Sequence, residues 1–152
     1  MRYLLVVSVA AIALAGCDKL KTGNSESDLI GSWSCSQSDE EGTAKVDMEY
    51  ASGGRSSAQF NMSMVDNGAK IEFTGSGSGT WELEGDKLTE EVTKFTIIGM
   101  TVNGQQINDP AFKQNLENAM VDQITTSTVK SVDDDSLFLT SSSGPVSCSR
   151  KG

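Results

Sequence analysis

From residue 44 to residue 84, apolar and polar side chains alternate with period two, which restricts the fold more than any other feature of the chain. In "AKVDMEY", Val46, Met48 and Tyr50 alternate with Lys45, Asp47 and Glu49. "AQFNMSM" sets Ala58, Phe60, Met62 and Met64 against Gln59, Asn61 and Ser63. "KIEFT" and "TWELE" continue it with Ile71 and Phe73, then Trp81 and Leu83. Successive strand side chains point to opposite faces, so such segments bury one face and wet the other, as antiparallel sheets do. Between them lie Ser52-Gly53-Gly54, Asp66-Asn67-Gly68 and Glu84-Gly85-Asp86, residue types that turn a chain tightly. The combination predicts a mainly β chain: a meander closed as a small antiparallel up-and-down barrel or packed as a sandwich.

Two stretches interrupt the pattern. "TGSGSGT", residues 74–80, is Gly-rich. A phosphate-binding loop needs a terminal Lys-Ser/Thr and a following helix; here Trp81 and a strand pattern follow, so a loop or a flexible kink inside a long hairpin is expected. "KLTEEVTKFTIIGMTV", residues 87–102, is strand-like but changes phase near Phe95, which predicts a bulge or a break.

One segment reads as helix. Asp109 suits the N-cap and Pro110 the first helical position. Phe112, Leu116, Ala119, Met120 and Ile124 then recur at three-to-four spacing, predicting a helix over about 110–124 lying against the sheet. Strand patterns at 127–132, 137–140 and through Val146 and Cys148 complete a barrel of about eight strands.

The chain has no histidine. That removes Ser-His and Cys-His catalysis and the commonest zinc ligand together. Catalytic carboxylates need a cleft and split pKa values. Glu82, Glu84, Glu90-Glu91 and Asp133-Asp134-Asp135 are read instead as the polar side of strands or a turn. The three aspartates lack the spacing of an EF-hand loop. No catalytic residue, metal site or cofactor is expected.

The N-terminus follows different rules. Arg2 precedes about twelve nearly unbroken apolar residues, 4–15, too short to span a bilayer as a helix. The run ends Leu14-Ala15-Gly16-Cys17. These residues closely resemble the lipobox of bacterial lipoprotein precursors. The resemblance implies a signal peptide over 1–16, cleavage before Cys17, a diacylglyceryl thioether on its sulfur and usually an acyl group on its new amine. Each buried methylene contributes about 0.8 kcal/mol, so two or three chains anchor a protein stably without spanning. The expected place is the bacterial envelope, facing the periplasm. Asp18, directly after the lipidated cysteine, resembles an inner-membrane retention signal in enteric bacteria. Residues 18–28, "DKLKTGNSESD", read as a flexible tether reaching at most about 37 Å, which leaves one domain over 29–152.

Removing Arg2 takes the basic residues from 12 to 11 against 21 acidic ones, a mature charge of −10. No basic nucleic-acid footprint is present, and attraction to anionic head groups is not expected, so the lipid is the membrane partner. With Cys17 taken, Cys35 and Cys148 remain as a pair in an oxidising compartment, and a structural disulfide follows. A redox pair usually comes as Cys-x-x-Cys at a helix start, which neither cysteine has.

The first strand pattern, "LIGSWSC", puts Leu29, Gly31, Trp33 and Cys35 on one face. Val146, Cys148 and Arg150 share a face at the other end of the chain. If the two strands pair antiparallel with Cys35 opposite Cys148, Trp33 stands opposite Arg150. Gly31-Ser32-Trp33, with Arg150 on the tryptophan and a helix before the last strands, is similar to lipocalin-type barrels. That resemblance implies a closed barrel end at Gly31, Trp33 and Arg150 and an interior that takes a small apolar ligand or lipid. Phe60, Met62, Met64 and Phe73 are the candidate lining, and equally an ordinary core. The alternative is a filled barrel acting as an envelope protein–protein interaction or inhibitor module. Barrel lipoproteins that inhibit lysozyme carry Ser-Gly-x-x-Tyr; residues 52–56 and 76–80 both lack the tyrosine.

Overall fold

A computed structural model of the protein describes residues 24–38, 40 and 42–152. The expected signal peptide, the expected lipidation site Cys17 and the first part of the expected tether lie outside the described residues.

A short helix, α1 (Glu26–Leu29), leads into β1 (Gly31–Ser38), β2 (Gly42–Ala51), β3 (Arg55–Asp66), β4 (Ala69–Glu84) and β5 (Lys87–Val102). A two-residue β6 (Gln105–Gln106), helix α2 (Pro110–Met120), β7 (Ile124–Val132), β8 (Ser136–Ser141) and β9 (Gly144–Arg150) follow. Each strand of the meander β1–β5 pairs antiparallel with the next. β5 then pairs with β7, β7 with β8, β8 with β9, and β9 returns to β1. Eight strands thus close into an antiparallel barrel, and β6 adds a short ninth strand outside β5. Closure leaves no long sheet edge to aggregate. Two of the turns use Asn-Gly, with Asn67 and Gly68 at φ 49° and 79° and Asn103 and Gly104 at 50° and 78°. Both residues of such a turn need positive φ, which glycine and asparagine adopt at low cost.

The Gly-rich stretch is neither a loop nor an interruption. Residues 69–84 form one 16-residue strand. Gly75, Gly77 and Gly79 lie on the inward face with Phe73 and Trp81. A Cβ at Gly75 would collide with the Phe60 ring and the Thr96 carbonyl, and one at Gly79 with the Glu91 carbonyl. Glycine is therefore required by close approach. The expected kink takes the form of two register shifts against β5. Ser78 pairs with Lys94 and Gly79 with Val92, leaving Thr93 as an extra residue; Thr74 pairs with Gly99 and Gly75 with Ile97, leaving Ile98 extra. Such bulges bend the strand and increase its twist. They also account for the phase change near Phe95 and for Ile98 being 70% exposed.

Residues 24–28, expected as the last part of a tether, make contacts of their own. The Asn24 amide donates to the Val129 carbonyl (3.1 Å), and Asp28 accepts from the Ser25 backbone N–H and hydroxyl at the start of α1. Residues 24–28 therefore belong to the domain: even a four-residue helix orders the chain when its ends are capped.

The second helix also differs. Asp109 caps it by accepting from the Ala111 and Phe112 N–H groups, as its sequence predicts. It ends at Met120, and none of its residues is fully buried. Ile124 is instead the first residue of β7 and is 66% exposed. The apolar stripe is real, but the helix runs along the edge of β5 where β7 no longer pairs. There Glu117 Oε1 accepts the Ile97 N–H (2.7 Å), and the Val92 N–H and carbonyl bond to Gln123 and Asp122. These bonds satisfy an edge that would otherwise cost desolvation.

The densest packing occupies one end of the barrel. Leu29, Trp33, Tyr50, Trp81, Leu88, Leu137 and Leu139 are buried there around the Cys35–Cys148 disulfide, which joins β1 to β9 across a Cα separation of 3.9 Å.

Candidate functional site

The barrel has two unlike ends, and the space between them is the candidate site. At the end with the dense packing, the β1–β9 register places Trp33 opposite Arg150. The Arg150 guanidinium lies 4.1 Å from the centroid of the Trp33 ring. Its Nε donates to the Asp134 carbonyl (2.7 Å), Nη1 to that of Ile30 (3.0 Å) and Nη2 to that of Asp28 (3.0 Å). Trp33 Nε1 donates to the Leu29 carbonyl (2.8 Å). Gly31 has φ 137°, and a Cβ there would overlap Arg150 Nη1. The glycine thus makes room for the arginine that covers the tryptophan. Gly31, Trp33 and Arg150 shut this end, with the indole N–H and all three guanidinium nitrogens bonded to backbone carbonyls, which suits a closure.

Above this floor, Trp81 Nε1 donates to the Ala51 and Arg55 carbonyls, and its ring meets Tyr50 edge-on at 5.3 Å. Tyr50 in turn donates its hydroxyl to Glu90 Oε1 at 3.0 Å. Glu90 lies opposite Trp81 on β5, on the inward face between Leu88 and Val92. It is half-buried, and burial raises its carboxyl pKa above the usual value against the opposing effect of the Tyr50 hydroxyl. The Tyr50 hydroxyl is pushed well above its usual range by burial and by the neighbouring carboxylate. Both shifts arise because the charged form loses water.

Beside this pair lies a chamber of about 110 Å³ bounded by Met48, Ala58, Phe60, Gly77, Glu90, Val92 and Phe95. Phe60 and Phe95 stack with their centroids 4.7 Å apart, and Phe73 meets Phe60 edge-on at 5.9 Å. Inward glycines on β4 let these rings lie against backbone. Of the four expected lining residues, Phe60 therefore borders the chamber, and Phe73 backs it. Met62 and Met64 stand higher, on a second recess of about 300 Å³ at the open mouth with Gln37, Ala44 and Ser143. Met64 is 39% exposed.

Glu90 corrects the reading of Glu90-Glu91 as a solvated run. One of two adjacent strand residues must face inward, and the period from Leu88 to Val92 selects Glu90. Met48, Val92 and Phe95 also border the chamber unexpectedly; Met48 and Val92 were legible as inward positions, whereas Phe95 required knowledge of the bulge. Asp133 closes the β7–β8 turn, accepting from the Asp135 and Ser136 N–H groups and the Ser136 hydroxyl. Those bonds hold its carboxyl below the usual range.

Outside the barrel, Ile98, Ile107 and Phe112 border a groove of about 210 Å³ between β5 and the start of α2. Among the described residues no helix is long and apolar enough to cross a membrane, and no group of three or more Cys, Asp or Glu is arranged to hold a metal ion.

No protein-family model and no curated protein matches the chain. Among solved structures it is similar to a lipocalin-like protein from Bacteroides uniformis, at 16% sequence identity and a TM-score of 0.42, over 82% of this chain and 99% of that one.

Proposed function

We propose that this chain is a non-enzymatic, lipid-anchored protein of the bacterial envelope whose barrel takes the apolar part of a small ligand. The chamber bordered by Phe60, Val92 and Phe95 carries the reading, because inward apolar side chains and aromatic rings there meet open space. Its size limits the ligand. Pockets for drug-sized molecules run from about 300 Å³ upward, whereas an apolar cavity of about 150 Å³ already accepts one benzene ring. A chamber of about 110 Å³ suits a short alkyl chain or a small ring, with the rest of the ligand in the mouth recess or in water. A whole lipid is too large for it.

The lipobox sequence supports the anchor, and the position of residue 24 supports an orientation for it. Asn24 and α1 are held at the closed end, so a lipid on Cys17 would draw that end toward the membrane and point the mouth into the periplasm. Soaking the mature protein with a series of short alkyl and aryl probes tests the reading by NMR. Shifts concentrated at Ala58, Gly77, Val92 and Phe95 are expected; a series that leaves these signals unmoved refutes it. Mass spectrometry of the membrane fraction tests the anchor, with diacylglyceryl and acyl mass on Cys17 as the expected result.

A second reading has its own observation. Ile98 and Phe112, 70% and 49% exposed, flank the groove beside α2 and offer apolar surface to an envelope protein. Chemical crosslinking in cells from a residue in that groove, set against one in the chamber mouth, separates the two.

A further inference from the structure

The chamber holds a feature that an apolar ligand alone does not explain. Glu90 is its charged inward residue, and its carboxylate has one hydrogen-bond partner among the described residues, Tyr50 at Oε1. No Lys or Arg side chain borders the chamber, and the described ion pairs are formed elsewhere, at Lys70–Glu72, Lys113–Glu117 and Lys151–Asp47. Among the described residues no sealed side-chain oxygen lacks a partner. The second Glu90 oxygen therefore opens onto accessible space, and the chamber is the space that Glu90 borders. A carboxylate half-withdrawn from water without a counter-charge is costly unless something pairs with it.

Two further observations have the same sign. The Phe60 and Phe95 rings border the chamber, and aromatic rings attract cations within about 6 Å of their centroids. The whole chain carries a formal charge of −9, which favours the approach of cations over anions.

We propose that the chamber selects small organic cations: an ammonium head bearing a short alkyl or aryl substituent, with Glu90 as its counter-charge and Phe60 and Phe95 around the substituent. The proposal rests on the chamber being a ligand site and adds the charge class of the ligand. In this arrangement Tyr50 positions the carboxylate and leaves its second oxygen free for the ammonium.

The test uses three probes of similar size with the mature protein: n-butylammonium, 1-butanol and butyrate, each titrated by ¹H–¹⁵N NMR at pH 7. The expected order is butylammonium tighter than butanol by about tenfold, with butyrate weakest. Glu90→Gln, which keeps an oxygen for Tyr50, should bring butylammonium down to the level of butanol and leave butanol unchanged. Glu91→Gln, on the exposed rim, should preserve the order. Equal binding of butylammonium and butanol by the unaltered protein overturns the cation proposal and leaves the chamber reading standing. If none of the three shifts the chamber signals, both fall. The probe comparison on the unaltered protein decides the matter even if Glu90→Gln does not fold.

Discussion

The two ends of this barrel are built from the same kind of strand and are used differently. At the closed end, Trp33 is fully buried, Arg150 spends three donors on backbone carbonyls, and a disulfide joins the strands beneath. Toward the mouth, Met64 is 39% exposed, the Phe60–Phe95 pair borders open space, and Glu90 keeps an oxygen without a donor among the described residues. The difference teaches that burial here is graded along the strands. One end holds the fold closed, and the other can tolerate unpaired groups because the first supplies the stability.

The comparison breaks most sharply at the disulfide. Cys35 and Cys148 are separated by 113 residues, and removing the cross-link should cost about 4–5 kcal/mol on chain-entropy grounds. Urea denaturation of the Cys35→Ser/Cys148→Ser protein checks this; a loss below about 1 kcal/mol would mean that packing alone holds the β1–β9 seam. Trp33→Ala should follow, at about 3–5 kcal/mol, as a large ring leaves a filled site. Arg150→Ala should cost about 2 kcal/mol, because three carbonyls lose their donors. Equal denaturation midpoints for Arg150→Ala and the unaltered protein would show that water replaces the arginine without loss.

The remaining two predictions concern the mouth side. Burial raises the Glu90 pKa from 4.5, so folding favours its protonated form. The stability that this proton contributes is fully present below about 4.5 and is lost as pH rises through the raised folded value. Glu90→Gln removes that loss. Its melting temperature should therefore gain on the unaltered protein as pH is raised from 4 to 7, and a gap independent of pH would show that the carboxyl is not desolvated. Met64→Ser, at the mouth, should change stability by no more than about 0.5 kcal/mol; a loss as large as that of Trp33→Ala would erase the distinction between the ends.

Several parts of the molecule were legible without coordinates because they depend on local order. Alternation located β2 and β3, and Asn67-Gly68 located their neighbour turn, since side-chain period and positive φ are properties of a few adjacent residues. The cysteine pair was legible by count. Other parts resisted for the opposite reason. Gly75, Gly77 and Gly79 look like a break because glycine weakens a strand in isolation, and only the close approach of the Phe60 ring and the Thr96 carbonyl to Gly75, and of the Glu91 carbonyl to Gly79, makes glycine the residue that fits there. The apolar period of α2 runs on four residues past its end, into Ile124, because pairing of β7 with β5 captures that residue. Glu90 was masked by Glu91: side by side they resemble a solvated pair, and only strand phase separates them.

The sequence by itself determined the strand content, the positions of the main turns, the helix start at Asp109 and the pairing of Cys35 with Cys148. Each follows from chemistry between near neighbours or from counting. The tertiary structure alone decided where the barrel is filled and where it is open. It joined residues 69–84 into one strand, placed the bulges at Thr93 and Ile98, drew residues 24–28 into the domain and left Glu90 facing a chamber. Those outcomes depend on which side chains meet across the barrel, whereas the Trp33–Arg150 contact follows from the sequence once Cys35 is set opposite Cys148.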